Sequence, residues 1–492
     1  MSTTIVETQY GKVQGAERGP VFVWKGIPYA QPPIGDLRFR APQSPIPWSG
    51  VRDATAFGLA SVQSSRMTQS FFAANPEPLG EDCLYLNIWS PGADDKRRPV
   101  LFWIHGGGFT FGSGSTPWYD GTAFATNGDE VVVTINYRLG ALGFLYLADL
   151  GGKEKELSSN CGLLDQVAAL QWVRANIAAF GGDPDNVTIF GESAGAMSIG
   201  TLLAMPVAKG LFQKAILQSG ASHTILDGAR ASRIATKLMD TLEILTITDL
   251  LAVPGEQMVA AQAKVAGPGG GIAFQPVVDG VTLPQQPIQA IASGSAHDVS
   301  LLVGTNRDEM RLFTVMDPNQ ATPNMPLLEH LFGTKAKEVF ATYEADQSEH
   351  ASSDAWIDFL TDRTFRIPAI RLAESQSMYG TNVWMYRFDW PTPVFEGRLK
   401  ACHALEIPFV WNNLAKRGVN LLTGGESAPQ KVADAMHLSW IMFARSGNPN
   451  TSGLPQWPAY DTTQRATMLF NEECQVVNDP QSNQRQVWEG VL

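Results

Sequence analysis

The chain has only four cysteines in 492 residues, Cys83, Cys161, Cys402 and Cys474. They stand far apart and form no C-x-x-C pair, so a zinc ribbon or dithiol redox centre has no ligands and free thiols are expected. Long apolar runs are missing too: nothing approaches the ~20 residues that a membrane-spanning helix needs. Met1 to Thr8 lacks the basic start and apolar core of an export signal, so a soluble cytoplasmic protein is expected. Positive charge is scarce, with 36 Lys and Arg against 48 Asp and Glu and a formal net charge of −12. That balance opposes nucleic acid and anionic membrane surfaces. A small neutral or cationic molecule is the expected partner, and the protein is expected to be a monomer. The glycine run from Ala266 to Gly271 lacks the Lys-Ser/Thr ending of a phosphate loop. Neither a cofactor nor a metal is expected.

Apolar residues make up 44% of the chain and charged ones 17%, enough for a large buried core. Leu84 to Trp89, Val100 to Ile104, Val131 to Tyr137, Ala215 to Gln218, Leu301 to Gly304 and Val383 to Phe388 are short, strongly apolar stretches that predict buried strands. Asp165 to Phe180 and Lys431 to Arg445 carry apolar residues at helical spacing, closed by Gly181-Gly182 and Gly447. Strands alternating with helices predict an α/β fold with a mostly parallel sheet. Thr8 to Gly15 and Val21 to Ile27 predict a small antiparallel edge. The expected organisation is one elaborated domain over 1–492, with a polar surface loop at 61–80 and a helical, cap-like insertion at 310–380.

Asn186 to Ser198 runs from β-branched and aromatic residues through Gly191-Glu192-Ser193-Ala194-Gly195 into small, helix-compatible ones. Strand, sharp turn and helix is the context of a nucleophile elbow. Ser193 would then stand exposed at the start of a helix whose unpaired N–H groups favour developing negative charge. A serine hydroxyl needs a base. His403, in a loop after the Val383 to Phe388 stretch, is the candidate; His437, inside the second amphipathic helix, is its rival. Asp308-Glu309, just past Leu301 to Gly304, supplies a carboxylate between nucleophile and base. His105-Gly106-Gly107-Gly108-Phe109 follows a predicted strand and reads as an oxyanion loop, with His105 bracing it. Phe71, Phe72, Phe274 and Phe313 are candidates for an apolar substrate pocket, though ordinary core packing accounts for them equally well.

With these motifs stand Lys25-Gly26-Ile27-Pro28-Tyr29-Ala30, Glu81-Asp82-Cys83-Leu84-Tyr85-Leu86-Asn87, Asn136-Tyr137-Arg138-Leu139-Gly140 and Phe180-Gly181-Gly182-Asp183-Pro184. Together the chain resembles, over nearly its whole length, the type B carboxylesterases of the cholinesterase-like α/β-hydrolases, above all the bacterial para-nitrobenzyl esterase group. The resemblance implies an α/β-hydrolase fold and a serine carboxylesterase acting on small to medium esters. It implies Ser193 as nucleophile, Glu309 rather than Asp308 as the acid, and His403 as base and acid. It implies oxyanion donors at Gly107, Gly108 and Ala194, and Ser219 as a serine that supports the acid by hydrogen bonding. Three departures stand out. Ser61 replaces a cysteine that extracellular members pair with the equivalent of Cys83. No tryptophan lies between Ser61 and Cys83, which argues against choline esters. Met310 follows the acid where the family usually has Gly, which would crowd that turn. Two rivals remain: a non-catalytic recognition module, as in adhesion relatives lacking the triad, and a lipase or amidase.

Overall fold

The computed structural model describes residues 4–64, 77–151, 157–267, 272–345, 352–380, 382–416 and 418–491. Its centre is an eleven-stranded sheet. Seven of the strands run parallel: β1 (Arg98–Ile104), β2 (Val131–Ile135), β3 (Gly182–Glu192), β4 (Lys214–Gln218), β5 (Ser300–Asn306), β6 (Val383–Phe388) and β7 (Ala466–Phe470), in the spatial order β7-β6-β5-β4-β3-β1-β2. Antiparallel strands close both edges, Gln475–Asn478 beside β7 and Tyr85–Ser90, Val21–Pro28 and Ala16–Arg18 beyond β2. This is the expected α/β-hydrolase arrangement.

The apolar runs form these strands because both faces of a parallel sheet are covered. Alternate side chains go to opposite faces. Val100, Phe102, Ile104, Val187 and Ile189 join one core, while Leu101, Trp103 and Phe190 join the other. On the second face Trp103 meets Trp411 edge to face at 5.3 Å between ring centroids, and Phe190 lies nearly parallel to Trp411 at the same separation. Such pairs add about 0.5–1.5 kcal/mol each beyond their burial.

The N-terminal prediction needs correcting. Ile5–Thr8 and Gly11–Gln14 do form a hairpin, but Val51–Asp53 joins it in parallel to make a separate three-stranded sheet. Val21–Pro28 belongs instead to the large sheet. Local pattern located Gly11–Gln14 and Val21–Pro28 but neither Ile5–Thr8 nor Val51–Asp53, and the strands' partners come from distant chain. The predicted helix after Asp165 begins earlier, as α1 (Cys161–Asn176), and the late helix spans Gln430–Ser446.

Residues 65–76, with Phe71 and Phe72, lie outside the described residues. At the ends of the predicted 61–80 loop, Ala60–Ser61 pairs in parallel with Leu79–Gly80. The 310–380 stretch is helical where described: α2 (Arg311–Met316) and α3 (Ser352–Thr361) matter below, and α3 runs through a π-helical turn, Asp362–Arg366, into Ile367–Ser377. All four cysteines are free thiols. Cys83 is buried against Ser61, and burial pushes its thiol up to about 12. No helix among the described residues is long and apolar enough to cross a membrane.

Candidate active site

The parallel strands end side by side, and their ends carry the predicted site residues. Register pairs Gly191 with Ile104, Glu192 with Gln218 and Gln218 with Gly304, so His105, Ser193 and Ser219 follow at neighbouring strand tips. Loops past the C-terminal ends of parallel strands are where this architecture places its ligands.

Ser193 has φ 54° and ψ −122°, a strained conformation for a residue with a side chain. The turn is held because Ser193 N–H donates to the Gln218 carbonyl at 2.9 Å and its own carbonyl accepts from Met197 N–H at 2.9 Å. The helix Ala194–Leu202 starts at once. Gly195 permits this: a Cβ there would sit 2.0 Å from the Ile104 carbonyl oxygen. The Ser193 side chain is partly exposed, and its hydroxyl hydrogen-bonds to no described residue.

Glu309 and His403 meet directly. His403 Nδ1 lies 2.7 Å from Glu309 Oε2, with Glu309 fully buried. Oε1 of Glu309 accepts the Asn306 backbone N–H at 2.7 Å, which fixes the carboxylate plane. Asn306 Nδ2 donates to the Cys402 carbonyl at 2.7 Å and to Glu406 Oε2 at 2.6 Å, tying the end of β5 to the His403 loop. Gln218 Nε2 holds Glu406 Oε1 at 3.0 Å from β4. The imidazole packs against Phe313 and Phe365, with centroids 5.2 and 4.8 Å away, and the two phenyl rings stack on each other at 6.4 Å. Asp308 is turned elsewhere, its carboxylate accepting the Ala401 N–H at 3.3 Å. The rival His437 stays within its helix and faces the Val410 carbonyl at 2.8 Å.

The glycine loop lies against the elbow. A Cβ on Gly106 would come within 3.1 Å of Ser193 Cβ. Gly107 and Gly108 have φ of 103° and 58°. The Gly107 carbonyl accepts from Thr110 N–H and Phe111 N–H at 3.0 and 3.1 Å, while the N–H groups of Gly107, Gly108 and Ala194 donate to no described residue. His105 stacks on Tyr137 at 4.5 Å, and its Nδ1 faces the Gly106 carbonyl at 2.9 Å. Burial lowers its pKa to about 4, so it is a neutral brace for the loop.

Three expectations fare differently. Ser219 is fully buried and its hydroxyl finds no hydrogen-bond partner among the described residues, so the expected contact to Glu309 is not made. Phe274 is only 2% exposed and belongs to the core, whereas Phe313 is partly exposed beside His403. Met310 has φ −71° and ψ −8°, ordinary right-handed backbone, so its conformation does not require the family's glycine there. A cavity of about 1100 Å³ lined by Phe332, Val339 and Val487 contains none of the site residues, so cavity volume does not locate the chemistry. Among the described residues no cluster of three or more His, Cys, Asp and Glu is arranged to hold a metal ion.

Sequence reasoning assigned no role to Glu192, Glu406 or Phe365. Glu192 Oε1 is 3.0 Å from His403 Nε2, yet out of line for a hydrogen bond, so the contact is electrostatic. Burial pushes Glu192 up to about 8, with His403 pulling it back. Burial also disfavours charge on His403, but Glu192 and the hydrogen-bonded Glu309 outweigh it and raise the imidazole to about 9. The two groups titrate as a pair. Since only a neutral imidazole accepts a proton, kcat/KM should rise with pH as the pair loses its proton. Glu192→Gln removes a charge that raises His403, so the rising limb should move to lower pH by about one unit. A pH series on both proteins checks this; an unmoved limb would assign the ionisation to another group.

An elbow serine, a His–Glu pair and a glycine loop gathered at adjacent strand ends are the parts of an acyl-transfer site. Residues 2–488 match the family model described as "Carboxylesterase family". The chain belongs to the carboxylesterase family. It is 44% identical to the para-nitrobenzyl esterase of Bacillus subtilis, over 99% of this chain and 98% of that protein. It is 35% identical to a phenmedipham hydrolase of Pseudarthrobacter oxydans, over 95% of each. The solved carboxylesterase of Geobacillus stearothermophilus at pH 6.2 superposes with a TM-score of 0.90 at 45% identity, covering 99% of this chain and 100% of that one. A solved PNB esterase gives 0.89 at 42% identity, covering 99% of each. This carboxylesterase is therefore an enzyme of the serine carboxylester hydrolase class, acting on small-molecule esters.

Proposed function

We propose that this esterase works through an acyl-enzyme on Ser193. His403 takes the Ser193 proton as the hydroxyl attacks the ester carbonyl, then gives it to the leaving alcohol; water enters by the same route in reverse. Glu309 stays ionised, holds Nδ1–H and favours the imidazolium that forms. The N–H groups of Gly107, Gly108 and Ala194 receive the oxyanion, and because the loop and helix fix them beforehand they need no reorganisation during reaction. The observation that carries this reading is the 2.7 Å contact between His403 Nδ1 and Glu309 Oε2 beside the strained Ser193 elbow.

Substrates are neutral esters of small to medium size, with Phe313 and Phe365 forming an apolar wall next to the base. Phe274, being core, drops out of that wall. The chain works as one domain and a monomer, and its free thiols suit a reducing cytoplasm.

The test is a chain-length series of para-nitrophenyl esters run beside a fluorophosphonate probe, with the labelled peptide mapped by mass spectrometry. Expected are fastest turnover on short to medium acyl chains, one label per chain on Ser193, and loss of activity in proportion to labelling. A label elsewhere, or hydrolysis that persists after full labelling, would overturn the assignment of the nucleophile. A preference for long-chain emulsified esters or for amides would favour the lipase or amidase reading.

A further inference from the structure

The carboxylate of the triad lies on the turn after β5 and the imidazole on the loop after β6, so their 2.7 Å contact depends on two separate pieces of chain keeping one spacing. Backbone links do part of this: Asp308 N–H donates to the Ala401 carbonyl at 2.9 Å, and His403 N–H to the Glu309 carbonyl at 3.3 Å. A third element touches both pieces. Asp354, in the first turn of α3, pairs with Arg311 Nη1 at 2.9 Å and faces Lys400 Nζ at 4.0 Å. Arg311 lies two residues past Glu309, and Lys400 three residues before His403.

The same helix makes two more contacts with the site. Thr361 Oγ1 accepts the N–H of Met310, the residue directly after the acid, at 3.2 Å. The π-helical turn that follows, Asp362–Arg366, brings Phe365 onto the imidazole face at 4.8 Å. π-Turns of this kind often occur at functional sites because the extra residue re-aims the side chains after it. The turn is anchored from behind: Arg366 pairs with Asp362 at 2.9 Å and donates to the Pro480 carbonyl at 2.6 Å, and Tyr343 donates to Asp362 at 2.8 Å.

We propose that Asp354 is a positioning residue for the triad: by pairing with Arg311 and facing Lys400 it sets the spacing between the turn that carries Glu309 and the loop that carries His403. This inference rests on the triad reading given above.

The charge arrangement supports the assignment. The Arg311 side chain is 11% exposed, and its Nε and Nη2 reach no hydrogen-bond acceptor among the described residues, so its contact with Asp354 is the direct ion pair it makes. An ion pair this sheltered resists screening by salt far better than an exposed one. The other charged groups around it are Asp308 and Arg307 on the acid's turn, Asp358 on α3, Asp362 with its partner Arg366 on the π-turn, and Lys400 on the base's loop. Burial and then the nearby Asp308 push Asp358 up to about 7, and burial also raises Asp308. Burial thus disfavours charge at those two positions, while Asp354 makes the direct 2.9 Å ion pair with Arg311.

The experiment compares wild type with Asp354→Asn, Asp354→Glu and Arg311→Lys on a short para-nitrophenyl ester, with Glu309→Gln as the control for the triad itself. Loss of the spacing should lower kcat by about 10- to 100-fold in Asp354→Asn, the scale of an ångström-sized misplacement, with KM within about twofold and the fluorophosphonate labelling rate falling in proportion to kcat. Asp354→Glu keeps the charge and should recover most of the loss. Arg311→Lys keeps the charge but loses the planar fork, and should show a smaller loss with the same bias toward kcat; it carries the test alone if Asp354→Asn does not fold. Unchanged kcat in whichever of these variants folds, a change confined to KM, or no recovery in Asp354→Glu would overturn the proposal. If Glu309→Gln is inactive while the Asp354 and Arg311 variants turn over normally, the positioning role fails and the triad stands. If Glu309→Gln is fully active, the triad reading itself fails.

Discussion

Replacing His403 by alanine should lower kcat on a para-nitrophenyl ester by about 10⁶, with the residue of activity coming from binding and the oxyanion donors alone. The size of that loss follows from the absence of a substitute near Ser193 among the described residues. A serine hydroxyl is almost wholly protonated at neutral pH, so attack without a base is slow. The other two buried histidines on these elements are committed elsewhere: His105 is held neutral against the Gly106 carbonyl with its pKa near 4, and His437 faces the Val410 carbonyl. Glu192 Oε1 lies 3.0 Å from Nε2, but burial pushes it up and the imidazole is what pulls it back to about 8, so once His403 is gone Glu192 is left as a carboxylic acid with no free site for the proton. Steady-state rates together with fluorophosphonate labelling test the point, since both should collapse together. A loss of less than about tenfold would mean that another group takes the proton, and the double variant with Glu192→Gln would show whether it is Glu192.

The site was legible in the sequence wherever a side chain is placed by its own strand. Ser193 is dictated locally: β-branched residues up to Phe190 build β3, and Gly191 and Gly195 let the chain turn against β1. The Asp308-Glu309 pair and the Gly107-Gly108 loop are legible for the same reason, each following a short apolar run that forms a buried strand, but the choice of Glu309 over Asp308 rested on family resemblance. His403 was harder, because it sits fifteen residues beyond the end of β6 at Phe388, and its place rested on chain order and family resemblance. The groups around it were not legible at all. Phe365 reaches the imidazole through a π-turn, and nothing in a helical periodicity announces an inserted residue. Glu406 looks like any charged residue in a loop until Asn306 and Gln218 close on it from two other strands. Ser219 shows the opposite failure: a motif placed it at the right strand tip, but the strained backbone there, φ 53°, leaves its hydroxyl without a partner among the described residues. Strand ends are local information; which way a side chain turns among groups from other strands is not.

Exchanging Glu309 for glutamine should cost about 10⁴ in kcat while leaving KM and thermal stability close to wild type. In the native site Oε1 accepts the Asn306 N–H at 2.7 Å and Oε2 faces His403 Nδ1 at 2.7 Å, so in the neutral imidazole Nδ1 carries the proton and Nε2 is left as the acceptor. A glutamine must keep its carbonyl oxygen on Asn306, because an NH₂ facing that N–H would set two donors against each other in a fully buried place. Its NH₂ is then forced onto Nδ1. Nδ1 must become an acceptor, the proton moves to Nε2, and the atom that should take the Ser193 proton already holds one. The fold loses nothing by this exchange, which is isosteric and satisfies both hydrogen bonds, so the loss falls on the chemical step. Asp308→Asn is the matched comparison: Asp308 meets the Ala401 backbone and not the imidazole, and its loss should stay within about tenfold. If the two variants lose activity equally, the difference between the neighbouring acids does not lie in the tautomer of His403, and the pairing at Nδ1 would have to be read as structural support alone.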